Sequence, residues 1–395
     1  METNRAESRI SGSVASLPSI RITAVRIHRL AAPLRERFGW SLNWTSHRTV
    51  TLIEVRTDCG LTGWGDGLAA EDVLSAHPEV VVGRSPFEVE AIYEDLRSPA
   101  GHQERPGPSR CGGLDTAIWD ILGQALGLPV SRLIGTGHRT AVRPYCTALY
   151  RKDWDDLAEG LRDEALHWKA QGFGAIKMKT GFGPETDARI VAAVRDALGD
   201  DTGLAIDSNC AYSAGAAIAL GRRLEKFNLM WWEEPVPADD LAGYARLRQH
   251  VGIPLAGGET LCVDALVRDY IQPRLVDILQ PEVELIGLTG ARRLTPLCWL
   301  NRIELAPHNW GTAVRTAAIL QWMATIPPLT PALAARAVTF EFDCTESPFR
   351  DAVVAEGGFT LNDEGLIDIP QTPGLGVRVL PEAVAEFRAE LVEIR

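Results

Sequence analysis

Residues 174–181, GAIKMKTG, read as a short apolar strand that two lysines interrupt. Lys177 and Lys179 lie two apart, so on a strand both side chains leave the same face. Each ammonium raises the cost of charging the other, and burial adds to that cost. Solvated lysines on an edge strand are one explanation, and a pair kept for chemistry is the other. The surrounding pattern decides between them. Seven more short apolar runs accompany this one: VRPYCT (142–147), GLAIDSN (203–209), NLMWWEEP (228–235), IPLAGGE (253–259), LVDILQPE (275–282), RIELAPHN (302–309) and AVTFEFD (337–343). Amphipathic helical stretches separate them. Helical connections imply parallel strands, and eight such units imply a closed (β/α)8 barrel over residues 141–350.

Every run but the first ends in ionisable residues. Lys177 and Lys179 close the second and Asp207 the third, with Asn209 two residues on. Glu233 and Glu234 close the fourth, Glu259 the fifth, Glu282 the sixth, His308 the seventh and Glu341 the eighth. From Lys179 onward they recur every 23–33 residues, the length of one strand–helix unit. All of them therefore face the C-terminal mouth, where barrel enzymes carry their chemistry.

Asp207, Glu233 and Glu259 would repel one another in a low-dielectric mouth. A divalent cation removes the conflict, and oxygen ligands with room for water suit Mg2+, or Mn2+ in its place. Neighbouring strand residues face opposite ways, so Glu233 is the expected ligand and Glu234 a supporting residue. Asn209 shares the face of Asp207 and is expected either to touch a ligand or to cap a turn. His308 ends one strand and Glu282 the strand before it, a pair that fixes the imidazole tautomer and raises its basicity. The other seven histidines, His47, His102 and His138 among them, read as ordinary residues, with His47 flanking an aromatic loop. A metal between two candidate bases, Lys179 and His308, suits removal of the proton next to a carboxylate. Lys177 and Glu341 would stabilise the resulting enediolate, and Lys177 would keep Lys179 partly neutral.

Residues 20–140 read as an α+β domain: alternating strands at 20–58, then helices over 71–134. Between the strands, RERFGWSLNWTSH (35–47) reads as a mobile loop. Residues 1–19 read as a disordered tail, and 351–395 as a segment packing back on the first domain. The chain has 395 residues, a hydrophobic content of 46%, a charged content of 23% and a net charge of −12. That balance argues against nucleic acid or an anionic membrane as the partner, though not against an anionic substrate in a locally cationic pocket. Seven scattered cysteines without CxxC spacing point to reduced thiols and a cytoplasmic protein.

With these residues in hand, the chain resembles the enolase superfamily, mandelate racemase subgroup. The motifs that carry the resemblance are GLDTAIWDILGQALGLPV, KMKTGFG, AIDSN, WWEEP, AGGET, LQPE, PHNWG and PGLGV, spread over residues 20–380. That superfamily is itself the established example of a Lys or His base used with Mg2+. The resemblance implies a modified barrel under an N-terminal capping domain, Asp207, Glu233 and Glu259 as Mg2+ ligands, and Lys179 and His308 as bases. It also implies Glu341 as the acid on the substrate carboxylate, and a dimer or octamer. PHNWGTAVRTAAILQWMA and FEFDCTESPFRDAV are similar to galactarolactone cycloisomerases and other acid-sugar enzymes, so an aldarate, an aldonate or a lactone is the expected substrate. One departure stands out: the partner of the family histidine is normally Asp, and here it is Glu282.

Three readings follow. One is β-elimination, by dehydration or lactone cycloisomerisation. Another is racemisation or epimerisation of a 2-hydroxy acid or amino-acid derivative. The third is a non-catalytic sugar-acid binding protein. Specificity is expected from Trp40, Trp44 and Arg48 in the aromatic loop and from the neighbourhood of Thr147 and Tyr150.

Overall fold

The computed structural model describes residues 18–41, 43–97, 110–329 and 339–395. Most of the expected N-terminal tail, and His102, lie outside the described residues. Strands β1 (Ile22–Gly39), β2 (Trp44–Thr57) and β3 (Thr62–Asp66) form an antiparallel cap sheet. Helices α1 (Glu71–Ala76), α2 (Val89–Arg97), α3 (Gly112–Leu126) and α4 (Ser131–Ile134) follow. The long stretch expected as a loop is instead the end of a hairpin, with β1 running to Gly39 and β2 starting at Trp44. What orders it is tertiary: Gly39 exchanges both backbone hydrogen bonds with Arg151, at 2.7 and 2.9 Å.

Eight parallel strands come next: β4 (Ala141–Thr147), β5 (Ala175–Lys179), β6 (Gly203–Asp207), β7 (Trp232–Glu233), β8 (Leu255–Gly257), β9 (Ile278–Leu279), β10 (Glu304–Leu305) and β11 (Thr339–Asp343). They fall at the eight apolar runs, in the order β10-β9-β8-β7-β6-β5-β4-β11. Helices α5 (Leu157–Ala170), α6 (Pro184–Leu198), α7 (Ala214–Leu224), α8 (Leu241–His250), α9 (Val263–Ala265), α10 (Val283–Asn301) and α11 (Ala313–Met323) connect them. Side chains start several of these helices: Asp156 caps α5, Ser213 α7, Asp240 α8, Glu282 α10 and Thr312 α11, each accepting a backbone N–H. Among the described residues no backbone ladder joins β10 to β11. Asn309 bridges that seam, its Nδ2 donating to the Glu341 carbonyl at 3.1 Å.

The pleat sorts β5 by face. Ile176 and Met178 pack into the main core, while Lys177 and Lys179 take the other side. The barrel interior holds its own small layer, Tyr145, Ala205, Trp231, Ala256, Ile278 and Ala306. Tyr145 and Trp231 meet edge to face at 5.0 Å and, with the small alanines, fill the floor beneath the mouth. Beyond β12 (Ile367–Asp368) and α12 (Pro381–Phe387), strand β13 (Arg388–Ile394) returns and pairs with β1 at the edge of the cap sheet. No described helix is long and apolar enough to cross a membrane.

The cap sheet and α3 approach closely because Gly65 and Gly113 face each other: a Cβ on Gly65 would lie 1.9 Å from the Gly113 carbonyl oxygen. Gly65→Ala should therefore lose about 1–3 kcal/mol of stability in urea denaturation through overpacking. Gly215→Ala at an exposed position of α7, where a Cβ meets nothing within 4 Å, is the control and should be neutral or slightly stabilising.

Candidate active site

Strand register builds the mouth. Lys179 pairs across to Asp207 and Asp207 to Glu233, on β5, β6 and β7. On the other side Thr147 pairs with Lys177 and with Asp343, and Glu341 with Tyr145. Glu259, Glu282 and His308 follow just past β8, β9 and β10, so the groups trace the strand order around the mouth.

Lys177 is 1% exposed. Its Nζ lies 2.7 Å from Glu233 Oε1, 2.7 Å from Glu341 Oε1 and 4.0 Å from Asp207 Oδ2. The Lys179 ammonium donates to Asp207 Oδ2 and lies 5.2 Å from the Tyr150 ring centre. Glu233 also accepts from Gln280 Nε2 at 2.5 Å and Trp231 Nε1 at 3.2 Å. Glu341 accepts the Thr147 hydroxyl at 2.6 Å and the Asn309 backbone N–H at 3.0 Å. His308 Nδ1 bonds Glu282 Oε2, and its Nε2 lies 3.4 Å from Glu259 Oε2. The extra methylene of Glu282 thus does not keep its carboxylate from the imidazole.

The electrostatics follow from these contacts. Burial opposes charge on both lysines, and each opposes the other, yet the carboxylates win. Asp207 holds Lys179 above the ordinary lysine range, and Glu233 with Glu341 holds Lys177 there. The expected partial neutralisation of Lys179 by Lys177 is therefore overturned: Asp207 touches the ammonium directly. Burial opposes ionisation of Glu341 as well, but Lys177 and His308 hold its carboxyl down to about 2. Burial also lowers His308, and Glu259, Glu341 and Glu282 together outweigh it and lift the imidazole to about 10. Glu233 is pushed up to about 7, first by burial, then by Asp207, Glu341 and Glu259 against the pull of Lys177.

The charge pattern at Glu233 bears on a metal, since four carboxylates crowd one mouth. Asp207 and Glu233 turn to the lysines and Glu259 to His308, so among the described residues no three acidic, His or Cys side chains converge as a ready ligand set. Glu259 Oε2 is nonetheless buried and accepts no hydrogen bond among the described residues. A hard, oxygen-seeking divalent cation fits this donor set, with Asp207, Glu233 and Glu259 as the residues that would hold it. The argument that Glu234 faces away does not apply: β7 ends at Glu233, and Glu234 sits at φ 39°. Burial, then repulsion from Glu259, Asp207 and Glu233, drives the Glu234 carboxyl well above its usual range, so it belongs to the same acidic cluster.

Comparison with known proteins places the chain in a family. Residues 22–135 match the mandelate racemase/muconate lactonizing enzyme N-terminal domain, and residues 160–383 match the enolase C-terminal domain-like family. The chain belongs to the mandelate racemase/muconate lactonizing enzyme family of the enolase superfamily. It is 37% identical over 376 residues to a D-galactarolactone cycloisomerase of Agrobacterium fabrum, covering 93% of this chain and 99% of that one. An arabinonate dehydratase of Saccharolobus solfataricus is 28% identical over 352 residues, covering 86% of this chain and 91% of that one. The crystal structure of the 3,6-anhydro-D-galactonate cycloisomerase from Zobellia galactanivorans superposes with a TM-score of 0.80 at 33% identity, over 94% of this chain and all of that one. This member of the family is an enzyme of the lyase or isomerase kind.

Within this family member, the residues expected to set specificity have distinct surroundings. Arg48 is buried; it donates to Asp343 at 2.8 Å and Thr345 at 2.9 Å and stacks 3.9 Å over Trp310, which ties the cap to β11. Trp40 meets Tyr150 and Trp310 edge-on, at 6.5 and 6.0 Å. Trp44 is exposed between the Arg37 and Arg151 guanidinium groups, at 4.6 and 4.5 Å. Asn209 does not continue the face of Asp207, because its φ is 42°; its N–H donates to Asp207 at 2.8 Å while its Oδ1 is buried with no hydrogen-bond partner among the described residues. A cavity of 560 Å³ opens between the cap and the mouth, lined by Arg29, Thr49, Glu282, His308, Trp310 and Arg315. A second, of 380 Å³, opens at the opposite end of the strands, beside Ala141 and Thr339, away from the carboxylates.

Gln280, Asn309 and Arg315 were not singled out from the sequence. Gln280 and Asn309 sit inside motifs already quoted, so position at a strand end was the available signal. Arg315 lies on α11, where an arginine reads as solvated.

Titrating Mg2+ into the protein should raise its melting temperature, with about 2.7 kcal/mol gained at a hundredfold excess over Kd. Asp207→Asn and Glu259→Gln should each abolish the shift, and chelation should reverse it in the unmodified protein.

Proposed function

We propose that the chain abstracts the proton α to the carboxylate of an acid sugar, an aldarate, an aldonate or a lactone, and then eliminates the β-oxygen. The observation that carries this reading is the placement of two bases at the ends of one acidic arc, Lys179 on Asp207 and His308 beside Glu259. The cycloisomerase and dehydratase names of the relatives support the same class of substrate.

In this reading Asp207, Glu233 and Glu259 would hold Mg2+, which would supply Lewis-acid stabilisation of the negative charge that develops on the substrate carboxylate. Lys179 Nζ removes the α-proton as the neutral amine, having passed its own proton to solvent once Asp207 no longer holds it as the ammonium. Lys177, anchored between Glu233 and Glu341, presents positive charge where the substrate carboxylate becomes an enediolate. Glu341, oriented by Thr147 and the Asn309 amide, lines the same position. His308, steadied through Nδ1 by Glu282, delivers a proton from Nε2 to the departing hydroxyl or ring oxygen. Since Glu282 does reach His308, two-base racemisation or epimerisation stands as the second reading.

The test is proton NMR of aldarates, aldonates and their lactones incubated with enzyme and Mg2+ in D2O. Elimination predicts loss of the α-proton signal and a new deoxy-keto product. Deuterium at the α-carbon with composition retained would establish the second reading. Lys179→Ala should lower the rate by about 10²–10⁴-fold. Absence of exchange across the whole set would reject both.

A further inference from the structure

We propose that Arg315 is the positioning residue that keeps Glu282 on His308, and that the cap holds Arg315 in place through Asp66. This rests on His308 acting as the proton donor in the reaction above, although its test needs no substrate.

The Glu282 carboxylate has two anchors besides the imidazole. Oε1 accepts the Glu284 N–H at 3.1 Å, as the cap of α10, and Oε2 lies 3.3 Å from Arg315 Nη1 while facing His308 Nδ1. Arg315 itself is 4% exposed and cannot reorient into water. Its Nε and Nη2 donate to Asp66 Oδ1 at 3.1 and 2.6 Å, and Nη2 lies 2.7 Å from Glu284 Oε2. Asp66 is fixed in turn, because its Oδ2 accepts the Thr312 N–H at 2.6 Å at the start of α11. Two carboxylates therefore clamp one side of the planar fork, and the remaining nitrogen is directed at Glu282.

Glutamate has one more rotatable bond than aspartate. Immobilising such a side chain costs up to about 2 kcal/mol of rotamer entropy. Without Arg315, only one backbone N–H besides the imidazole would restrain that carboxylate, and it would be free to turn from His308. The clamp crosses from the last residue of β3 to the mouth, so seating of the cap fixes the orientation of a base.

The experiment follows the Nδ1 proton of His308 in full-length protein labelled with 15N-histidine, with and without Mg2+. The His308 signal is assigned with His308→Gln. The unmodified protein should give a downfield imidazole N–H that exchanges slowly with water. Arg315→Met and Arg315→Lys should both accelerate that exchange by about tenfold or more, as a local opening would. Arg315→Lys keeps the charge but loses the fork, so it decides the matter if Arg315→Met does not fold. Asp66→Asn should accelerate exchange with Glu282 and Arg315 intact. An unchanged exchange rate in the arginine variants overturns the proposal, and an unchanged rate in Asp66→Asn overturns the link to the cap. Substrate turnover in D2O reports separately on the proposed reaction, so either reading can fail alone.

Discussion

Asp207, Glu233 and Glu341 all reach toward one buried ammonium, that of Lys177, at 2.7–4.0 Å. Two unit charges 4 Å apart interact by about 4 kcal/mol at the effective dielectric of a partly screened site. A mouth this crowded is tolerable only if every charge has an opposite beside it. The lysines, His308 and Arg315 serve that purpose, and each carboxylate of the arc except Glu234 faces at least one of them. Removing any single member would leave an uncompensated buried charge, which is costlier than the loss of the contact itself.

The same need shapes the apolar part of the barrel. Tyr145 and Trp231 fill the interior below the charges, and Ala205, Ala256 and Ala306 make room for them. Water is thereby kept from one side of the site, which strengthens every interaction above the floor. Burial is the largest cause of the rise at Glu233, whereas at Glu341 and His308 it works against the displacement and close partners of opposite charge outweigh it.

The barrel was legible because its signal repeats. Eight apolar runs, seven of them closed by ionisable residues, survive uncertainty about any one of them, and strand period alone puts Lys177 and Lys179 on one face. What stayed hidden depends on contacts distant in sequence. The hairpin around Trp40 and Trp44 reads as a loop because its order comes from Arg151, more than a hundred residues away. Lys179 was expected to be neutralised by its neighbour, but the nearer charge is Asp207, and only the register across β5 and β6 reveals that distance. Glu234 breaks strand alternation through a left-handed backbone that no local pattern announces. Arg315 lies inside the quoted motif PHNWGTAVRTAAILQWMA, but its role is not legible there, since its three acidic partners come from β3 and from the start of α10.

Two buried ion pairs join cap to barrel at separate points: Arg48 of β2 with Asp343 of β11, and Asp66 of β3 with Arg315 of α11. Lifting the cap as a rigid body would have to part both buried pairs at once. At the β1–β2 tip the contacts are of another kind. Arg37 with Asp153 is a half-exposed pair, and Trp44 lies open to solvent between two arginines. Pairs of that sort contribute about 0–1 kcal/mol. The tip around Trp40 and Trp44 is thus joined to the barrel by weaker ion pairs than the base of the cap, although Gly39 and Arg151 still exchange both backbone hydrogen bonds there. In the proposal above, the alignment of His308 depends on the Asp66–Arg315–Glu282 clamp at the base of the cap, apart from the tip that carries Trp40 and Trp44.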